Sequence, residues 1–183
     1  MNPPTKVTGK TLEKLILFRA GKMPWLIRMN RYGVQGNMIG GNWTPVQSYP
    51  DFDATIATGR HLIIEAKVCS GASFGVAQKT FYKPLQHRHM IEHAALGALC
   101  WLLIHFNGRE LKTRIEEAFT IGFPVHPEHE FWQRFDAQEE KAISRDCART
   151  YGVEVPWNLY SPLAKNLTPD LSVLLSEKEE PEF

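Results

Sequence analysis

The chain has 183 residues, of which 43% are hydrophobic and 22% charged, and its net charge is +1. This size and composition exclude collagen, disorder and a solenoid, and suit one compact domain with a full core. Residues 94–104 form the longest apolar run, far short of the roughly 20 residues a membrane helix needs. The start Met1-Asn2-Pro3-Pro4 lacks the apolar stretch of a secretory signal. Cys69, Cys100 and Cys147 are widely spaced and form no CxxC pair. A cytoplasmic protein with no membrane contact and no cysteine chemistry is expected.

Charge is unevenly distributed. Lys6, Lys10, Lys14, Arg19, Lys22, Arg28 and Arg31 face only Glu13 near the front, which suits attraction to phosphates. Glu177, Glu179, Glu180 and Glu182 stand against Lys178 at the end, and without residues 177–183 the net charge is +4. Such acidic tails are usually solvated. The expected division is a domain over residues 1–162 and an irregular acidic tail over 163–183.

In chain order, residues 8–20 read as a helix: Leu12, Leu15, Ile16 and Arg19 share a face, Thr8 caps the start and Gly21 marks the end. Pro24 blocks its continuation. Residues 25–32 read as a strand, and the Gly-, Asn- and Pro-rich stretch 33–49 as a loop. Strands follow at 52–57 and 61–69, joined by a tight turn at Thr58-Gly59-Arg60. In the second, Leu62, Ile64, Ala66 and Val68 form an apolar face, with His61, Ile63, Glu65, Lys67 and Cys69 opposite. Residues 70–83 read as a loop and 85–96 as a helix, with Gly97 near its end. Residues 99–106 have the unbroken apolarity of a central strand. Asn107-Gly108 signals a hairpin returning at 109–114. Another strand is expected at 118–125, helices at 128–135 and 136–151, and irregular chain beyond Pro156. This order predicts an α/β or α+β fold with a single mixed sheet flanked by helices.

The chemistry concentrates around the central hairpin. Asp51 and Asp53 flank Phe52 at the start of one strand, and Glu65 and Lys67 lie on its partner. Adjacent antiparallel strands bring Asp51 and Glu65 within reach on one face. Two carboxylates so placed repel and favour a cation between them. Oxygen ligands select a hard ion, so Mg²⁺ is expected, with Mn²⁺ able to substitute. Such an ion polarises a phosphoryl oxygen and acidifies a bound water, and Lys67 can orient that water or stabilise charge on phosphorus. By itself, Glu-x-Lys on a strand is usually a solvated pair. The combination of Pro50-Asp51, a tight hairpin and Glu65-Ala66-Lys67 on an apolar strand is far rarer.

Pro50-Asp51 followed by Glu65-Ala66-Lys67 resembles the signature of PD-(D/E)xK nucleases. More narrowly, Asp51-Phe52, Glu65-Ala66-Lys67, Lys83-Pro84-Leu85 and the segment from His87 to His93 resemble the RecU-type Holliday-junction resolvases of bacteria and phages. The match covers about residues 48–106, with a looser one at the first helix. It implies a restriction-endonuclease-like core and a Mg²⁺-dependent homodimer that nicks opposing strands of a four-way DNA junction. Carried over by position, Asp51 and Glu65 become metal ligands and Lys67 the catalytic lysine. Glu13 matches the acid that a helix contributes to such sites, and Asp53 is a second ligand candidate. The family often places a glutamine where Met90 stands, and Gln86, one turn earlier, can substitute. The spacing from Asp51 to Glu65 is slightly longer than in the RecU type. Lys79, Lys83, Gln86, Arg88, Lys10 and Lys14 are expected on the DNA surface.

Other readings compete. A nuclease of the same class acting in restriction or repair would show the same residues. His89-Met90-Ile91-Glu92-His93 matches HxxEH, the mark of inverted zinc peptidases, with Glu130, Glu139 or Glu140 available as third ligand. A non-catalytic DNA-binding module could stack bases on Trp43 and Tyr49, but it leaves Asp51 and Glu65 unexplained.

Overall fold

A computed structural model describes residues 2–32, 35–39, 42–47, 49–76, 84–137, 139–159 and 167–175. Helix α1 (Gly9–Ala20) begins where the Thr8 side chain accepts a hydrogen bond from the Thr11 backbone N–H at 3.2 Å. Leu12, Ile16 and Ala20 recur every fourth residue and are the positions it buries. Strands β1 (Leu26–Arg31), β2 (Gln35–Ile39), β3 (Asn42–Gln47), β4 (Phe52–Ile56), β5 (His61–Cys69) and β6 (Ser73–Gly75) follow. After α2 (Pro84–Ala95) come β7 (Leu99–Phe106), β8 (Arg109–Glu110), β9 (Ile115–Glu116) and β10 (Phe119–Pro124). The chain continues through α3 (Glu130–Asp136), β11 (Ala142–Ser144), α4 (Arg145–Tyr151), β12 (Val153–Glu154), β13 (Trp157–Asn158), β14 (Thr168–Pro169) and a 3₁₀ turn (Leu171–Leu174).

Six strands form the main sheet in the order β1-β4-β5-β7-β10-β12. β5 and β7 pair in parallel from Leu62↔Leu99 to Cys69↔Phe106, and the other neighbours are antiparallel. The parallel pair requires a crossover, which α2 supplies. Central position explains β7, which is buried from Cys100 to Phe106. Alternate residues of β5 and β7 serve two cores. Leu62, Ile64, Ala66, Trp101 and Leu103 join α1 and the 3₁₀ turn on one face. Ile63, Cys100, Leu102 and Ile104 pack with residues of α2, α3 and α4 on the other. The expected mixed α/β architecture is what the chain adopts. No helix among the described residues is long and apolar enough to cross a membrane.

Several local expectations fail for physical reasons. The stretch 33–49 contains the β2–β3 hairpin rather than loop alone. Asn107-Gly108 makes no hairpin turn. Asn107 is buried, bonding Val7 through its Oδ1 and Nδ2 and Ser70 through Nδ2. The reversal comes later, between β8 and β9. The second expected late helix, 136–151, is shortened because residues 142–144 pair with β6. The boundary at 162 is not the edge of the packed domain, since Thr168, Leu171 and Leu174 are fully buried. Residues 177–183 lie outside the described residues.

Gly152, at the end of α4, shows how closely this face is packed. A Cβ there would lie 2.6 Å from the Ala148 carbonyl oxygen, a backbone atom that cannot swing aside, and would collide with Ile121 Cγ2. Gly152→Ala is therefore expected to destabilise the protein by about 1–3 kcal/mol, read as a lowered urea midpoint with unchanged slope.

Candidate active site

The β4–β5 turn is tight because Gly59 adopts φ 84°, a left-handed conformation that glycine tolerates, and donates to Ile56 O at 2.9 Å. From it the strands run in register, with Asp53 opposite Ile63 and Phe52 opposite Ile64. Just beyond Phe52 the usual ladder is replaced by side chains. The Asp51 N–H donates to Glu65 Oε2 at 2.9 Å, and the Ala66 N–H donates to Asp51 Oδ2 at 2.9 Å. Each carboxylate is thus fixed by the other's strand. Lys67, two residues from Glu65 and so on the same face, donates from Nζ to Glu65 Oε1 and lies 3.8 Å from Asp51 Oδ2.

The three side chains differ in exposure. That of Glu65 is 0% exposed, while those of Asp51 and Lys67 are 22% and 19% exposed. Burial pushes the Glu65 carboxyl up to about 7; the Lys67 ammonium opposes this and the Asp51 carboxylate adds to it. The site therefore holds a carboxylate short of positive charge beside a second that reaches solvent. Among the described residues no three His, Cys, Asp or Glu side chains gather as a metal cluster. Two carboxylates nonetheless fit Mg²⁺, which usually keeps several waters and takes one or two carboxylates plus substrate phosphate.

The remaining expected residues are dispersed. Asp53 shares the face, but its Oδ1 accepts from Asn30 Nδ2 at 2.9 Å and its Oδ2 from Tyr32 Oη at 3.1 Å. The bond to Asp53 raises the Tyr32 pKa, followed by burial, so the phenol stays protonated. Glu13 pairs with Arg31, whose register partner Phe52 points into the α1-side core. Among the described residues no hydrogen bond or ion pair links Glu13 to Asp51, Glu65 or Lys67. Gln86 is only 5% exposed and donates from Nε2 to Tyr49 O at 3.1 Å, fastening α2 to the segment that leads into Asp51. Its structural placement is thus interior rather than on an open DNA surface. Lys10 and Lys14 are exposed on α1, and Arg88 is exposed and 3.8 Å from Glu92. Lys79 and Lys83 lie outside the described residues.

Among the described residues the zinc-peptidase expectation finds no third ligand. The His89 and His93 rings lie side by side with centroids 4.2 Å apart, tilted by 40°, but Glu130, Glu139 and Glu140 gather around Arg134 at 3.9, 3.7 and 2.6 Å. Asn30 and Tyr32 escaped the sequence reading, as did the direct pairing of Arg31 with Glu13. Alternation along β1 placed Asn30 and Tyr32 on one face, but nothing in the sequence identified Asp53 as their partner.

No protein-family model matches the chain, and no curated protein matches it. Among solved structures it is similar to Hjc, a Holliday junction resolvase from the archaeal hyperthermophile Archaeoglobus fulgidus. The TM-score is 0.48 at 17% identity, over 80% of this chain and 95% of that one.

The buried glutamate makes stability depend on pH. Its folded pKa of about 7 lies above the ordinary 4.5, so the protonated form is the one folding favours. The stabilisation is complete below about pH 4.5 and is lost as pH rises through 7. At roughly 1.4 kcal/mol per pH unit the loss is on the order of 3 kcal/mol. Urea unfolding in EDTA from pH 5 to pH 8 is expected to show this decline in wild type and a flatter profile in Glu65→Gln. Equal slopes in the two proteins would refute the assignment to Glu65.

Proposed function

We propose that the chain is a metal-dependent endodeoxyribonuclease of the PD-(D/E)xK class that nicks four-way DNA junctions as a homodimer, in the cytoplasm of a bacterium or phage-infected cell. The observation that carries the reading is the reciprocal lock of Asp51 and Glu65 across the β4–β5 hairpin, with Lys67 touching both. Junction choice rests on the sequence resemblance to RecU-type resolvases.

Asp51 and Glu65 are the residues to hold Mg²⁺ or Mn²⁺. The ion's chemistry is to polarise a phosphoryl oxygen and lower the pKa of a bound water. Glu65 is fixed by the Asp51 N–H, and Asp51 by the Ala66 N–H, so neither carboxylate needs to reorganise when substrate arrives. Lys67 carries three donors at Nζ, enough to keep Glu65 while holding the attacking water or a phosphoryl oxygen. Its compact charge stabilises the additional negative charge on the pentacovalent phosphorus. Apolar packing behind β5, from Leu62, Ile64 and Ala66, keeps the strand from shifting.

Lys10, Lys14 and Arg88, all exposed, are suited to phosphate contacts that recognise DNA shape rather than base sequence. A two-fold dimer would present two equivalent sites to the equivalent strands of a junction. The test is cleavage of an end-labelled four-way junction beside duplex and single-stranded controls. Paired symmetric nicks are expected on the junction alone in Mg²⁺, with none in EDTA and a loss of roughly 100-fold or more in Asp51→Asn. Cutting of every substrate would retain the nuclease and remove the junction preference. Absence of any Mg²⁺- or Mn²⁺-dependent cutting would remove both.

A further inference from the structure

Beside Asp51 lies a half-open cavity of about 150 Å³ whose wall includes Pro50 and Phe52, the two neighbours of that aspartate in sequence. Its remaining wall is largely aromatic. The Tyr32 and Tyr49 rings lie 5.6 Å apart, tilted by 34°, Tyr49 meets His89 edge-on at 5.5 Å, and the His89 and His93 rings lie 4.2 Å apart, tilted by 40°. Buried Ile63 also contributes to the lining. Asp53 provides a polar group there, oriented by Asn30 and Tyr32.

We infer that this cavity receives one unstacked nucleobase of the strand being cut, the base next to the scissile phosphodiester. The inference rests on the nuclease reading and adds to it a contact with a base, where that reading supplies contacts only with phosphate. Three observations converge on it. The cavity has the scale of a single flat ring system and adjoins the residue that would hold the metal. Its aromatic rings offer the faces and edges on which bases of any sequence stack. Its walls are also anchored, since Gln86 fastens Tyr49 to α2 and Asp53 fastens Tyr32. A pre-formed pocket suits a base already unpaired or easily unpaired, as at a branch point, because the unstacking cost is least there. Neutral stacking surfaces suit a base better than a phosphate. Burial lowers the His89 pKa and neighbouring His93 adds to this, which disfavours a positive charge on that ring.

The experiment is a two-way substitution on junction cleavage. Junctions carrying an abasic nucleotide on either side of the mapped cut are compared with the intact junction, using wild type, Tyr49→Ala and His89→Ala, each checked for an unchanged thermal transition. With wild type, loss of the base is expected to lower kcat/KM about tenfold. In either variant the intact junction is cut about tenfold more slowly, and removing the base then costs little more, because the two changes delete one contact. Losses that simply multiply in both variants would overturn the pocket while leaving the nuclease intact. So would a wild type indifferent to the abasic nucleotide. A wild type that cuts no DNA in Mg²⁺ or Mn²⁺ removes the nuclease reading and this inference with it, and that result is recognised on the unmodified junction alone.

Discussion

A fully buried carboxylate on the central hairpin constrains everything around it. An isolated ionised carboxylate is costly inside a protein, so Glu65 requires donors. They come from two places, the Asp51 N–H and the Lys67 ammonium. The first ties the start of β4 to the middle of β5, and the second recruits the residue two positions along the same strand. Asp51 answers with its own carboxylate, which takes the Ala66 N–H. Hairpin register and site geometry are therefore one property. A slip of one residue between these strands would turn Glu65 towards the α1-side core and orphan both carboxylates.

Support for that arrangement comes from both sides of the sheet. Behind β5, Leu62, Ile64 and Ala66 belong to the core shared with α1. Alongside it, β7 is buried almost throughout and pairs in parallel with β5 from Leu62 to Cys69. In front, α2 buries Gln86, Met90 and Ala94, a row at four-residue spacing. Gln86 ends that row beside Tyr49, where its hydrogen bond holds the approach to Asp51. An interior polar side chain thus positions Tyr49, two residues before Asp51.

Periodicity made much of this legible in the sequence. Helix α1, the β4–β5 hairpin and β7 follow from patterns spanning eight residues or more, long enough to separate the repeats of helix and strand. Asp51, Glu65 and Lys67 were legible for the same reason, because alternation along two adjacent strands fixes their common face. What escaped depends on partners distant in sequence. Asn107 looked like a turn residue until Val7, a hundred positions away, took its side chain. β11 is a strand only because β6 lies beside it. Leu171 and Leu174 show no periodic pattern, yet the α1-side core closes over them. Glu13 fits the helix-borne acid by position, but Arg31 supplies a cation on the α1 side of the sheet.

The histidines of α2 show the same distinction within one motif. HxxEH spacing requires only that His89 and His93 share a helix face, and they do. What that face does depends on what other elements bring to it. A zinc site needs a third ligand, and the glutamates expected for the role are held by Arg134 of α3. The face instead meets Tyr49 in the approach to β4 and shares a cavity with Tyr32, just past β1, and Asp53 of β4, and the result is an aromatic cavity next to an acidic pair. Spacing along one helix selects a face. Its chemistry is decided by the sheet against which that face is laid.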